Sequence, residues 1–147
     1  MSMFKKILVP VDGSQTSWKA LDTARSLAEK YDGRLLVITV MIPYGSGSFL
    51  QMSLDQTLID QNNAAMKKAG FATLDMAKDK LGSYAGDVEY LEETGNPAEL
   101  ILDACKEKGC DTIVIGSRGL SGVEEFLLGS VSSKVSQYAK VPVVVVK

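Results

Sequence analysis

The stretch Thr112-Ile113-Val114-Ile115-Gly116-Ser117-Arg118-Gly119, closed by Gly129-Ser130-Val131, decides how the chain is read. An apolar, β-branched run empties into glycines, and a helical pattern begins at Ser130. Glycine lets the backbone approach a ligand closely, and the unpaired N–H groups of a helix start face whatever is bound there. The spacing Gly-x2-Gly-x9-Gly-Ser is therefore a candidate anion cradle between a strand and a helix. It lacks the Gly-Lys-Ser/Thr ending of a Walker A loop, and it is not the Gly-x-Gly-x-x-Gly dinucleotide fingerprint.

Working outward, the periodicity predicts alternating strands and helices. Ile7-Leu8-Val9-Pro10-Val11 is short and almost wholly apolar, as a central parallel strand covered on both faces should be, with Pro10 near its end. Asp12-Gly13-Ser14 turns the chain into a helix reaching about Tyr31, with Ser14 as N-cap and Trp18, Leu21, Ala24 or Arg25, Ala28 and Tyr31 at helical spacing. Gly33 suits the left-handed position that ends it. Leu35 to Met41 is a second strand, ended by Pro43 and followed by the loop Gly45-Ser46-Gly47-Ser48. A long helical region then runs from about Leu54 to Lys80, with Leu58, Ala65, Ala69, Ala72 and Met76 as its apolar stripe and room for a break near Gln61-Asn62-Asn63.

Val88 to Glu93 is more polar and suits a sheet edge. Gly95-Asn96-Pro97 starts a helix, with Asn96 as N-cap and Pro97 in its first turn, and that helix ends at Gly109. Asp111 to Ile115 is the fourth strand. A helix from Ser130 to about Ala139 places Val131, Val135 and Tyr138 on one face, and Val141-Pro142-Val143-Val144-Val145-Val146 is a fifth strand. The order β-α-β-α-β-α-β-α-β argues for an α/β parallel sheet with helices on both faces, in one domain spanning 1–147. In a doubly wound sheet the ligand sits beyond the carboxyl ends of the strands, where the strand order reverses. For the order 3-2-1-4-5, that point brings Pro10-Val11-Asp12 to Gly116.

Composition narrows the chemistry. The 147 residues are 46% hydrophobic and 23% charged, with a net charge of −2, so nothing draws the chain generally to nucleic acid or an anionic membrane. No stretch is long enough to span a membrane, and the chain opens without a signal peptide, which predicts a cytoplasmic protein. There is no histidine, so Ser-His-Asp and Cys-His machinery cannot be assembled. Cys105 and Cys110 do not spell a zinc site and are expected to be reduced thiols.

These motifs, quoted with Ile7 to Ser14, Gly95-Asn96-Pro97 and the terminal Val141 to Val145, resemble the universal stress proteins of the A type, end to end. The glycine spacing matches the ATP-binding branch of that family. The resemblance implies a Rossmann-like, adenine nucleotide α-hydrolase-like three-layer α/β/α fold, with a five-stranded parallel sheet in the order 3-2-1-4-5. It implies that ATP, ADP or AMP binds, with Mg2+ or Mn2+ on the phosphates. Pro10 would line the pocket, and the backbone of Val11 and Val40 would meet the adenine edge. Asp12 would bond the ribose or lie beside the phosphate-bound ion, without any direct protein metal site. Gly116, Arg118 and Gly119 would border the ribose and phosphates, and Gly129, Ser130, Val131 and Ser132 would hold the phosphates.

Bland roles stand beside these: Asp12 also suits a plain turn, Arg118 a surface loop, and the serines after Gly129 a solvated helix face. Trp18 and Tyr138 suit packing, and Met66 and Met76 the core. The valine strand Val141–Val146 invites pairing with a second copy, and the resemblance also implies a homodimer. No catalytic residue stands out. The expected function is a nucleotide-dependent regulatory protein of the stress response. The alternatives are a slow metal-dependent ATPase or nucleotide-dependent transferase, and a dimeric scaffold that binds no nucleotide.

Overall fold

A computed structural model describes residues 3–43, 56–118 and 128–147. Its elements in chain order are β1 (Lys6–Pro10), α1 (Gln15–Tyr31), β2 (Arg34–Met41), α2 (Gln56–Leu81), β3 (Val88–Thr94), α3 (Pro97–Glu107), β4 (Thr112–Gly116), α4 (Ser130–Tyr138) and β5 (Val143–Val146). The five strands form one sheet in the order β3-β2-β1-β4-β5, and every pairing is parallel. Sheet and order are those expected, with the polar β3 at one edge and β5 at the other.

Strand alternation splits the core into two layers. Ile7, Val9, Leu35, Val37 and Val114 face one way and pack with Ala20, Leu21, Ala24 and Ala28 of α1 and Leu74, Ala77 and Leu81 of α2. Leu8, Leu36, Ile38, Ile113 and Ile115 face the other way and pack with Ala98, Ile101, Ala104 and Cys105 of α3 and Val135 of α4. Each large aliphatic side chain removed from water contributes about 1.5–3 kcal/mol, so the unbroken apolar runs of β1 and β4 are required by two-sided burial. Among the described residues no helix is long and apolar enough to cross a membrane.

The helix starts follow their capping chemistry. Ser14 caps α1, its hydroxyl accepting from the Ser17 N–H at 3.2 Å, and Asn96 caps α3 by accepting from the Glu99 N–H at 3.1 Å. Replacing Asn96 by alanine is expected to cost about 1 kcal/mol of stability, measurable by urea denaturation.

The end of α1 differs from expectation. Asp32, not Gly33, takes the left-handed position, at φ 54°. Gly33 is needed for another reason: a Cβ there would collide with the Phe4 carbonyl oxygen. The long helix α2 runs without a break past Gln61–Asn63. Its buried residues are Ile59, Gly70, Leu74, Ala77 and Leu81, while Leu58 and Met76 are about half exposed and Ala65, Ala69 and Ala72 are exposed. The expected stripe is therefore out of phase, because the alanines suggested the wrong face. Contact with the sheet selects Gly70 instead, where a Cβ would come within 3.1 Å of both Glu92 Cγ and Met41 Cγ. Met66 is half-buried, and Tyr138 is exposed, unlike the packing residue it was expected to be. Trp18 is half-buried against the core, with the Lys80 ammonium 5.1 Å from its ring centre. The loop Gly45–Ser48 lies outside the described residues.

Candidate functional site

The site begins where the sheet stops being continuous. The pairing of β1 with β4 covers Ile7 with Thr112 and Leu8 with Ile113. Beyond it β4 follows β5 up to Gly116, and β1 follows β2 up to Pro10. The two middle strands thus turn to opposite neighbours at their carboxyl ends, which leaves a crevice at the place where the strand order reverses.

Hydrogen bonds tie the loops around this crevice together. Val11 continues past β1 by donating its N–H to the Ile38 carbonyl at 2.8 Å. The Asp12 Oδ1 accepts the Ser14 N–H at 2.9 Å, so the exposed Asp12 does make the turn before α1. From the first turn of α1, the Thr16 hydroxyl donates to the Arg118 carbonyl at 2.5 Å. The Ser117 carbonyl in turn accepts from the Gly129 N–H at 2.7 Å and from the Ser132 hydroxyl at 2.8 Å. Sequence-distant segments at Asp12–Thr16, Gly116–Arg118 and Gly129–Ser132 are thereby joined in one unit.

Within that unit the start of α4 is unlike the starts of α1 and α3. Its N-cap is Gly129, which supplies no side-chain cap. The first helical bond runs from the Ser133 N–H to the Gly129 carbonyl, so the N–H groups of Ser130, Val131 and Ser132 precede the hydrogen-bond ladder. Three unladdered donors and the positive end of the helix dipole make this an anion-attracting point of the crevice. Close beside it, the Ser117 hydroxyl is buried and has no hydrogen-bond partner among the described residues. A buried hydroxyl without a partner costs about 1–3 kcal/mol, and a polar ligand would relieve that cost.

Individual residues hold places somewhat different from those expected. Gly116 is buried, and its missing side chain makes room for α1: a Cβ would lie 2.9 Å from the Thr16 carbonyl carbon and 3.0 Å from the Thr16 oxygens. The Ser132 hydroxyl is turned inward, donating to the carbonyls of Ser117 and Gly129, and the residue is 2% exposed. Ser132 can therefore offer a phosphate its backbone N–H, whereas its hydroxyl proton is already committed. Gly129 is tightly fitted, since a Cβ would stand 3.2 Å from the Ser117 carbonyl oxygen and 3.3 Å from the Arg118 Cα.

Ser130 is exposed, and Val131, Arg118 and Pro10 are half-buried. Pro10 sits opposite Ile38 at the last pairing of β1 with β2, where its lack of an N–H costs no ladder bond. Val40 lies two residues further along β2. Ile38 bonds toward β1 and Met41 toward the β3 side, where it accepts the Gly95 N–H. Since backbone groups alternate in direction along a strand, Val40 turns its N–H and C=O toward the side of β1, beyond the last paired residue. The Val11 N–H, by contrast, is already used. Gly119 lies outside the described residues. Thr16 and Ser117 were not singled out by the sequence. Their only signals there are a threonine two residues after the Ser14 cap and a serine next to Gly116.

A five-stranded parallel sheet in this order, with a crevice at the switch point, defines a Rossmann-like architecture. The chain belongs to the universal stress protein family, whose pattern it matches over residues 3–147. It is 40% identical to universal stress protein YxiE of Bacillus subtilis, over 99% of this chain and all of that protein. Among solved structures, universal stress protein UspA from Lactobacillus plantarum superposes with a TM-score of 0.78 at 26% identity, covering 100% of both chains. A universal stress protein solved in complex with cAMP matches with a TM-score of 0.71 at 27% identity, covering 99% of this chain and 98% of the other.

Proposed function

We propose that this chain holds ATP in the crevice between β1 and β4, as a cytoplasmic regulatory protein whose contacts depend on the nucleotide. The observation that carries this reading is the start of α4: a glycine N-cap, three unladdered N–H groups and, beside them, the Ser117 hydroxyl, buried without a partner among the described residues. Ser130, Val131 and Ser132 would donate backbone N–H groups to the phosphates, with Gly129 allowing close approach. Pro10 would line the pocket and Asp12 would meet the ribose. The Val40 backbone would face the adenine edge, joined by the carbonyl of Val11. Arg118 and Gly119 would border the sugar and phosphates. A divalent ion, Mg2+ or Mn2+, would ride on the phosphates. The relative solved with cAMP supports an adenine nucleotide as the ligand class.

Holding is favoured over cutting because the chain contains no histidine, and an exposed Asp12 that already accepts a turn N–H is a poor general base. Among the described residues β5 is a sheet edge with one side unpaired, and pairing through Val141–Val146 with a second copy would cover it. A steady-state turnover assay with magnesium or manganese, together with sedimentation of the nucleotide-loaded chain, tests the whole reading. The expected result is a dimer turning over far more slowly than about 1 s⁻¹. A monomer at micromolar concentration, or turnover at or above that rate, would contradict it.

A further inference from the structure

Cys105 and Cys110 lie at the junction of α3 and β4, at the end of the sheet opposite the crevice. The chain leaves α3 by a turn in which the Cys110 N–H donates to the Cys105 carbonyl at 2.9 Å and the Gly109 N–H to the Lys106 carbonyl at 3.3 Å, with Gly109 at φ +67°. This pair of bonds folds the residue after the left-handed glycine back onto the last turn of the helix, where an apolar pair commonly packs. Here both members of the pair are thiols. The Cys105 Sγ–H donates to the Cys110 carbonyl at 3.6 Å, and both cysteines are free and buried in the α3–α4 layer of the core.

The two thiols, held together by this turn, are unequal. The neighbouring Cys110 side chain holds the Cys105 thiol below the ordinary thiol range. The Cys105 side chain and burial push Cys110 up. Cys105 is therefore the sulfur that ionises first and Cys110 the one that keeps its proton. Lys106, Glu107, Lys108 and Gly109 around them are exposed, so the turn is at the surface and an opening of the last helical turn admits a small oxidant.

We propose that Cys105 and Cys110 form a reversible intramolecular disulfide on meeting a small peroxide, making the α3–β4 junction a thiol-oxidation site. The Cys105 thiolate attacks one peroxide oxygen and the O–O bond breaks. Cys105 becomes a sulfenic acid, and the departing hydroxide takes up the proton lost when Cys105 ionised, giving water. The Cys110 sulfur then attacks the sulfenic sulfur, the S–O bond breaks, and the hydroxyl leaves with the Cys110 proton as a second water. Two thiols are oxidised by two electrons in total, and one peroxide is reduced to two waters. Because the turn already holds Cys110 against Cys105, the sulfenic acid meets its resolving thiol before a second peroxide or another chain.

Treating the folded chain with stoichiometric hydrogen peroxide and measuring its intact mass tests this. The expected result is a loss of about 2 Da, reversed by a phosphine reductant, with Cys105 and Cys110 in one cross-linked peptide. The loss should vanish in both Cys105→Ala and Cys110→Ala. Cys110→Ala should instead accumulate a sulfenic acid at Cys105 that dimedone traps, while Cys105→Ala should react at least roughly tenfold more slowly. Gains of about 16 or 32 Da on one cysteine of the native chain, a bridge only between chains, or thiols unchanged in the folded protein would overturn the proposal. The native-chain mass decides the matter if either variant fails to fold.

Discussion

Ser130→Asp is expected to weaken ATP binding roughly tenfold or more while leaving the melting temperature unchanged or slightly raised. Ser130 is exposed and is the first residue of α4, so the new carboxylate needs no room in the core. An acidic side chain in the first helical turn interacts favourably with the helix dipole, by about 0.3–1 kcal/mol. The same charge would stand where the nucleotide phosphates are proposed to rest. Two like charges about 4 Å apart repel by about 1–4 kcal/mol between bulk water and a protein surface, and each 1.4 kcal/mol is a factor of about ten in affinity. Folding and binding therefore move in opposite directions, which separates a ligand role from a structural one. Unchanged affinity in this variant would remove the start of α4 from the site. Thermal unfolding and calorimetric titration of the same sample read both effects.

The second large effect is structural and falls on Gly116. Gly116→Val is expected to destabilise the fold by about 1–3 kcal/mol, the usual cost of forcing extra methyl groups into a packed interior. The obstacle is Thr16, whose carbonyl carbon and oxygens stand 2.9 to 3.0 Å from the place the first added carbon would occupy. Backbone cannot rotate aside as a side chain would. Moving α1 away would also strain the bond from the Thr16 hydroxyl to the Arg118 carbonyl. Loss of ATP binding in Gly116→Val would thus follow from displaced packing and would not by itself identify a phosphate contact. Urea denaturation checks the claim, and a midpoint equal to that of the native chain would refute it.

Much of the fold was legible because β1, β2 and β4 are buried on both faces and so must be nearly continuous apolar runs. The caps Ser14 and Asn96 were legible for a local reason, since each satisfies an N–H within three residues. What escaped depends on contacts distant in sequence. Nothing near Gly33 reveals that the Phe4 carbonyl passes over it, and nothing near Gly70 reveals Glu92 and Met41. The alanines of α2 looked like a buried stripe, yet the sheet selected the face where Gly70 allows close packing.

The candidate site divides the same way. Strand order alone brought Pro10–Asp12 to Gly116–Arg118. The division of labour among the glycines and serines required the three-dimensional contacts: Gly116 accommodates α1, Ser132 ties its hydroxyl to the end of β4, and Ser117 is left buried without a partner among the described residues. Asp111 is a further case. Its carboxylate accepts the N–H groups of Lys5 and Lys6, fastening the start of β1 to the entry of β4, although in sequence it looks only like the first residue of a strand.

Whether an adenine nucleotide is held by the start of α4 in the β1–β4 crevice is decided by calorimetric titration of the native chain with ATP and magnesium. Saturable binding at one site per chain is expected, weakened in Ser130→Asp without loss of fold. No saturable binding to the folded native chain, or binding equally strong in that variant, would contradict it.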